Sequence, residues 1–157
     1  MYTYRAGIDI GSTTIKLVVL DDKNQILYGE YMRHGAHIQE TLTKLLQEAY
    51  SILGKCLLKI KITGSGSMSL GKALGIEFIQ EVSAVATALQ HLAPQTDVAI
   101  ELGGEDAKII YFKDGLDERM NGVCAGGTGS FIDQMAALLQ TDAKGLNEEA
   151  VNYKQIY

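Results

Sequence analysis

The sequence predicts an α/β protein with a mixed sheet and flanking helices. Its predicted elements begin with three strands and continue as alternating helices and strands, an order typical of mixed α/β folds. With 46% hydrophobic and 21% charged residues among 157, the composition is that of a folded globular chain. A strand–turn–strand pattern near the start also returns in the second half. These observations predict a folded chain that contains two related parts.

Three strands open the chain. Residues 4–10 and 14–21 are rich in Ile, Val and Leu, and the turn at Gly11–Thr13 joins them. A third strand is predicted at 25–32, after the polar segment 21–24. Short polar connections between apolar runs predict an antiparallel meander.

Helices and strands alternate after this meander. The clearest helix is predicted at 38–53, where apolar residues recur at helical spacing: Ile38, Leu42, Leu45, Leu46, Ala49, Ile52 and Leu53. Gly54 ends it. The elements that follow are a strand at 57–62, a helix at 67–74, a strand at 76–80 and an amphipathic helix carrying Val82, Val85, Ala86 and Leu89. Pro94 is the predicted boundary between a first domain, 1–94, and a second, 95–157.

The second domain repeats the opening theme. Strands are predicted at 97–102 and 107–113 around a Gly103-Gly104 turn, and a glycine-rich loop at 122–129 leads into a helix at 130–139. A three-strand meander followed by crossovers is typical of the ribonuclease-H-like layout, in which helices pack on both faces of the sheet.

Charge, hydropathy and cysteine content exclude several classes of protein. The formal net charge of −5 argues against nucleic-acid binding, which needs a basic face. No apolar run is long enough to span a membrane, and Asp9 and Lys16 interrupt the only stretch that resembles a signal peptide, so a cytoplasmic protein is expected. A reducing compartment disfavours a disulfide between Cys56 and Cys124, and the absence of a CxxC motif or a Cys/His cluster means that spacing predicts no complete metal site.

The two strand–turn–strand segments, GIDIGSTTIKLVVL and AIELGGEDAKIIYF, carry the main candidate chemistry. Each has an acid two residues before a glycine (Asp9, Glu101) and a lysine in the returning strand (Lys16, Lys108). Glycine lets the backbone approach a ligand closely, and the N–H groups that follow can form an anion-binding nest. Three residues after Gly11 add hydroxyl donors: Ser12, Thr13 and Thr14. A carboxylate at the preceding strand end can hold Mg²⁺ through water, so the matched pair predicts phosphate binding, whereas either hairpin alone would be interpreted as a tight turn.

Other motifs give weaker signals. Residues 66–73, GSMSLGKA, fit a G-x-x-x-x-G-K loop but have Ala73 where a hydroxyl is needed for Mg²⁺, so an ordinary strand–helix junction is predicted. Gly64-x-Gly66 lacks the third glycine of a dinucleotide-binding loop. Three histidines are scattered and are interpreted as surface or hydrogen-bonded residues: His34, His37 and His91. Cys56, at the edge of an apolar strand, is interpreted as a packing residue.

Cys124 lies in a glycine-rich loop just before a predicted helix N-terminus, where the helix dipole favours a thiolate. Such a thiolate is a candidate nucleophile, redox thiol or ligand of a shared iron–sulfur cluster. The alternative is a small residue packed in a turn.

A family resemblance rests on three segments in this order and spacing: GIDIGSTTIKLVVLD, ELGGEDAKIIYF and MNGVCAGGTGSFIDQMAALL. They closely resemble the ATP-dependent activases of 2-hydroxyacyl-CoA dehydratases, a group that includes the ATPase subunits of benzoyl-CoA reductase. This group belongs to the superfamily of actin, sugar kinases and heat-shock chaperone ATPases. The resemblance covers essentially the whole chain, and ELGGED and RMNGVCAGGTG are most similar to the large multi-module activase-type proteins.

The resemblance implies a CoA-substrate-specific enzyme activase that hydrolyses ATP to ADP, with Mg²⁺, between two ribonuclease-H-like lobes. Hydrolysis would drive electron transfer from a [4Fe–4S] cluster, shared across a homodimer by two cysteines from each subunit, to a dehydratase or reductase partner. Carried over to this chain, Gly11–Thr14 would form the first phosphate loop, with Lys16 following it and Asp9 near Mg²⁺. Cys124 would be the first cluster ligand.

The resemblance also implies a second phosphate loop formed by Glu101, Gly103 and Gly104, with Asp106 beside it. Small activators have Asp where this chain has Glu101 and Gln where it has Glu105, and both changes would alter Mg²⁺ geometry or slow hydrolysis. In the family, the second cluster cysteine and an adenosine-binding Gly-Gly loop fall beyond position 157. The chain alone is therefore expected to show little ATPase activity and no stable cluster.

Two other functions use the same hairpins. One is a small-molecule kinase of the same superfamily, in which Asp106 would serve an acceptor hydroxyl. The other is a non-catalytic nucleotide-sensing module, in which Glu101 and Glu105 mark lost hydrolysis.

Overall fold

The computed structural model describes residues 2–113, 115–121 and 126–155. The chain divides into two compact units, Met1–Thr96 and Asp97–Tyr157. The division lies close to Pro94. None of the helices in the described ranges has both the length and the apolar character needed to cross a membrane.

The first unit contains a five-stranded mixed sheet in the order β3-β2-β1-β4-β5. Its elements follow one another as β1 (Thr3–Ile10), β2 (Thr14–Leu20), β3 (Ile26–Arg33), α1 (Ile38–Leu53), β4 (Leu57–Thr63), α2 (Met68–Leu74), β5 (Glu77–Phe78) and α3 (Glu81–Leu92). The first three strands pair antiparallel, while β4 pairs parallel with β1 and β5 parallel with β4. The predicted meander with crossovers is confirmed.

The core of this unit lies between the central strands and α1. Alternate residues of β1 and β2 are fully or almost fully buried, among them Ile10, Ile15 and Leu17. Helix α1 buries the centre of its apolar stripe, Leu45 and Ala49.

Two predicted core residues of α1 are exposed: Leu46 by 36% and Ile52 by 64%. Each lies about 60° around the helix axis from Ala49, on opposite margins of the stripe. The periodicity identifies the buried face correctly and overestimates its width.

The second unit contains a three-stranded antiparallel sheet, β6 (Val98–Leu102), β7 (Ala107–Tyr111) and β8 (Asp117–Met120), followed by α4 (Gly129–Leu138) and α5 (Ala143–Ala150). Strands β6 and β7 and helix α4 agree with the prediction. Strand β8 and helix α5 were not predicted. All four residues of β8 are exposed, and three of them are charged (Asp117, Glu118 and Arg119). No residue of α5 is buried. Neither element therefore carries the buried apolar residues on which the sequence prediction depends.

Candidate functional site: two matching hairpin turns

The β1–β2 hairpin brings Asp9 and Lys16 together. They are direct cross-strand partners, and Asp9 Oδ2 lies 2.6 Å from Lys16 Nζ. The turn between them is closed by the Gly11 amide, which donates to the Thr14 carbonyl at 2.9 Å. Partial burial of Lys16 acts to lower its pKa, but the hydrogen bond and charge of Asp9, together with smaller effects of Tyr31 and Glu81, outweigh it, so the pKa of Lys16 is raised.

The second carboxylate oxygen of Asp9 faces the end of β4. Asp9 pairs with Thr63 in the parallel register, and both Asp9 Oδ1 and Thr63 Oγ1 are buried without a hydrogen-bond partner among the described residues. Buried polar atoms normally have a partner, so this pair of oxygen atoms has spare capacity for a water molecule or a hydrated cation.

The glycines of the segment after β4 allow close packing against the end of β1. Gly64 has φ +92°, and a Cβ placed on it would collide with the Ile10 carbonyl and Asp9 Oδ1. Gly66 donates its amide to the Ile10 carbonyl at 2.9 Å, and a Cβ there would lie 2.9 Å from Ile10 Cγ2. These glycines support the first turn through backbone proximity, which sequence spacing alone did not reveal.

The G-x-x-x-x-G-K match is a strand–helix junction, as predicted. Helix α2 already begins at Met68, and Gly71 packs inside it against Ile62. Lys72 lies in the last turn of that helix and is exposed. A phosphate-binding lysine of this motif would have to lie where the loop enters the helix.

His34 is buried beside the first turn, 6% exposed. Its amide donates to the Thr13 carbonyl at 3.1 Å, and its Nε2 lies 3.2 Å from the Gly11 carbonyl. The Ala36 amide donates to His34 Nδ1 at 3.1 Å. The sequence interpretation of a hydrogen-bonded histidine is confirmed for His34, but its contact with the turn was not foreseen, because only the β2–β3 pairing brings residue 34 to this position.

The β6–β7 hairpin repeats the geometry of the first. Glu101 and Lys108 are direct cross-strand partners, and the Gly103 amide donates to the Asp106 carbonyl at 2.8 Å. Lys108 is 7% exposed, and its Nζ lies 3.7 Å from Glu101 Oε1 and 3.6 Å from Asp106 Oδ2. The acid, glycine and lysine therefore occupy equivalent positions in both hairpins.

The N-terminus of α4 holds the carbonyls of the second turn. The Gly129 amide donates to the Gly103 carbonyl at 3.0 Å, and the Ser130 amide donates to the Gly104 carbonyl at 2.7 Å. In a trans peptide the carbonyl and the following N–H point in opposite directions. The amides of Gly104 and Glu105 therefore point away from α4, and neither donates to a backbone carbonyl within the described residues.

The predicted site residues fall into two groups. One group surrounds the first turn: Asp9, Gly11, Ser12, Thr13, Thr14 and Lys16. The other surrounds the second turn: Glu101, Gly103, Gly104 and Asp106. Ser12 is exposed and Thr13 half-buried, whereas Thr14 is buried, so the first two present the more accessible hydroxyls.

Metal-ligand chemistry is limited in the described part of the chain. No group of three or more His, Cys, Asp or Glu side chains there could hold a metal ion. Cys124, the predicted cluster ligand, lies outside the described residues, and Cys56 is half-buried with a free thiol.

The sheet order and the paired hairpins define an α/β protein of the actin-like ATPase class, and solved structures agree. The activator of the 2-hydroxyisocaproyl-CoA dehydratase from Clostridium difficile, with bound ADPNP, matches with a TM-score of 0.83 and 30% identity, covering 98% of this chain and 59% of that one. The Acidaminococcus fermentans (R)-2-hydroxyglutaryl-CoA dehydratase component A matches with a TM-score of 0.80 and 26% identity, covering 99% and 61%.

The chain belongs to the BadF/BadG/BcrA/BcrD ATPase family, whose model matches residues 6–152. It is 32% identical to the 2-hydroxyisocaproyl-CoA dehydratase activator of Clostridioides difficile over 95% of this chain and 57% of that protein. It is also 32% identical to the activator of lactoyl-CoA dehydratase of Anaerotignum propionicum, over 95% and 60%. The resemblance identified from the sequence is confirmed, and the chain spans less than two thirds of the length of these relatives.

Proposed function

We propose that the two hairpin turns bind the phosphates of Mg·ATP and that the protein is an ATP-dependent activator of a 2-hydroxyacyl-CoA dehydratase or a related reductase. The observation that carries the proposal is the repeated geometry. In both hairpins an acid and a lysine face each other, and the glycine two residues after the acid closes the turn on the carbonyl three residues further on. An ordinary tight turn requires neither the acid nor the lysine.

In the first hairpin, Asp9 is the proposed magnesium-side residue. Lys16 Nζ lies 2.6 Å from Asp9 Oδ2, while the buried Oδ1 has no hydrogen-bond partner among the described residues. A carboxylate oxygen of this kind can hold a hydrated Mg²⁺ ion. The donor set therefore fits the ion, which when bound neutralises phosphate charge. The Ser12 and Thr13 hydroxyls and the turn amides would hold the phosphate oxygens.

In the second hairpin, Gly103 and Gly104 are the proposed phosphate contacts. The outward amides of Gly104 and Glu105 supply donors, and α4 fixes them by holding the carbonyls on the other side. Glu101 and Asp106 are the proposed groups that orient a water molecule or accept its proton, and the buried Lys108 sets their positions.

The activator role extends this proposal beyond ATP binding. It is supported by family membership and by the names of the relatives, which are activators or an activating ATPase of three dehydratases. Cys124 is the proposed ligand of a [4Fe–4S] cluster shared across a homodimer, and that cluster would supply a low-potential electron to the partner enzyme. The electron-transfer step rests on the resemblance.

Nucleotide binding is tested by following amide resonances of the ¹⁵N-labelled chain during titration with Mg·ADPNP to millimolar concentrations. We expect saturable shifts at Ser12, Thr13 and Gly104. Asp9→Asn should weaken the apparent affinity by about tenfold or more, since it removes a charge-assisted contact. Asp22→Asn, the same change in the exposed β2–β3 turn, is the matched control. Absence of saturable shifts, or equal affinity of the two variants, would contradict the proposal.

The cluster is tested separately in protein purified anaerobically after expression of the native gene. Iron and sulfide content should fall in Cys124→Ser and stay at the wild-type level in Cys56→Ser. Equal loss in both variants, or no iron and sulfide in the wild-type protein, would contradict the role of Cys124 and leave the nucleotide proposal standing.

A further inference from the structure

We infer that His34 is a positioning residue for the first phosphate loop, holding the Gly11–Thr14 turn in the form that can receive an anion. The inference rests on the proposed function of that turn. His34 contacts it through both its backbone and its imidazole ring, although it follows the end of β3, 20 or more residues further along the chain than the turn.

The hydrogen bonds of His34 define one ring tautomer. The Ala36 amide donates to Nδ1, so Nδ1 carries no proton and the proton is on Nε2. Nε2 therefore donates to the Gly11 carbonyl, at 3.2 Å. The neutral ring accepts on one side and donates on the other, and the charged ring could not accept from Ala36.

Holding the Gly11 carbonyl fixes the direction of the next amide. The carbonyl of Gly11 and the N–H of Ser12 belong to one trans peptide, so they point in opposite directions. The His34 ring therefore turns the Ser12 amide away from itself, and that amide donates to no backbone carbonyl within the described residues. A fixed N–H donor with no internal partner is suited to bind a phosphate oxygen.

The second hairpin achieves the same result by another route. There the Gly129 amide holds the Gly103 carbonyl, which corresponds to the Gly11 carbonyl in the first hairpin. A helix N-terminus and a buried histidine thus serve the equivalent glycine carbonyls. This correspondence favours a role in loop orientation over simple filling of space.

The backbone around His34 is also constrained. Gly35 has φ +49° and Ala36 has φ +69°, and a non-glycine residue at positive φ is unfavourable. The hydrogen bond from the Ala36 amide to Nδ1 helps to hold this conformation. The unfavourable backbone conformation at Ala36 therefore lies directly beside the residue whose ring contacts the Gly11 carbonyl.

Two substitutions distinguish the hydrogen bond of Nε2 with Gly11 from that of Nδ1 with Ala36. Gln extends its side-chain amide to about the position of Nε2 and can still donate to Gly11, whereas Asn reaches only to about Nδ1 and keeps the acceptor for Ala36. We expect His34→Gln to bind Mg·ADPNP within about threefold of wild type. His34→Asn should bind about tenfold more weakly, the effect of one lost hydrogen bond.

Binding is measured by the same amide titration, and the imidazole tautomer by long-range ¹H–¹⁵N correlation. The expected results are the Nε2–H tautomer and a selective loss of affinity in His34→Asn. Equal affinity in wild type and both variants, equal loss in both variants, or an Nδ1–H tautomer would overturn the inference and leave nucleotide binding intact. No saturable shift in the wild-type chain would instead overturn the proposed function itself.

Discussion

Asp9 and Lys16 face each other across β1 and β2 with 2.6 Å between Oδ2 and Nζ, at the point where the chain turns through Gly11. The lysine side chain is 44% exposed, so solvent screens the pair and its contribution to folding is small. An exposed ion pair of this kind, next to a turn with amides directed outward, supports the proposal that the first hairpin binds an anion.

The first prediction concerns Lys16. Lys16→Met should lower Mg·ADPNP affinity about tenfold, because it removes positive charge beside the turn, and should change the free energy of unfolding by less than about 1 kcal/mol. The matched control is Lys72→Met, in the last turn of α2, which should bind like wild type. Isothermal titration and urea unfolding of both variants measure the two effects. If Lys72→Met lost more affinity than Lys16→Met, the phosphate site would be the G-x-x-x-x-G-K segment, and the first hairpin would not be the site.

The second prediction concerns Gly64. Gly64→Ala should destabilise the first unit by about 3 kcal/mol, since φ is +92° and the added Cβ would collide with the Ile10 carbonyl. Gly7→Ala is the control, because nothing lies within 4 Å of its Cβ position. Urea unfolding compares the two. Equal stability would show that the segment after β4 can move away from β1 without loss.

Some features of the fold and the site could be predicted from the sequence, and others could not. The hairpins were predictable because apolar alternation and a glycine turn are local signals. The contact of His34 with Gly11 was not, since it depends on the β2–β3 register. Strand β8 was missed because an exposed edge strand of charged residues has no periodic apolar signal. Helix α5 was missed although Asp142 caps it by accepting from the Gly145 amide, a signal that sequence reading could have used.

The third prediction concerns pH. Burial raises the pKa of Tyr28 to about 12, helped by the hydrogen bond that its hydroxyl donates to Glu48. The folded state therefore retains the phenol proton when the unfolded state loses it. The contribution of Tyr28 to the free energy of unfolding is fully present below pH 10, which is the ordinary pKa of tyrosine. It is lost as the pH rises to about 12, the pKa of Tyr28 in the folded state.

Unfolding measured between pH 9 and pH 12 tests this assignment. The wild-type free energy of unfolding should fall with rising pH, by on the order of 2 kcal/mol from this residue. Tyr28→Phe should lack this component, whereas Tyr31→Phe, an exposed ring in the same strand, should keep it. Parallel pH curves for the two variants would refute the assignment.

The last prediction concerns Lys108, which is almost fully buried between Glu101 and Asp106. Lys108→Met should destabilise the second unit by about 3 kcal/mol, because two carboxylates are left close together without the cation between them. Lys113→Met, at an exposed position just after β7, should change stability by less than about 0.5 kcal/mol. Adding Glu101→Gln to Lys108→Met should restore part of the loss, since it removes one of the repelling charges. If the double variant is no more stable than Lys108→Met, Lys108 supports the second turn through its packed side chain, and its charge does not contribute.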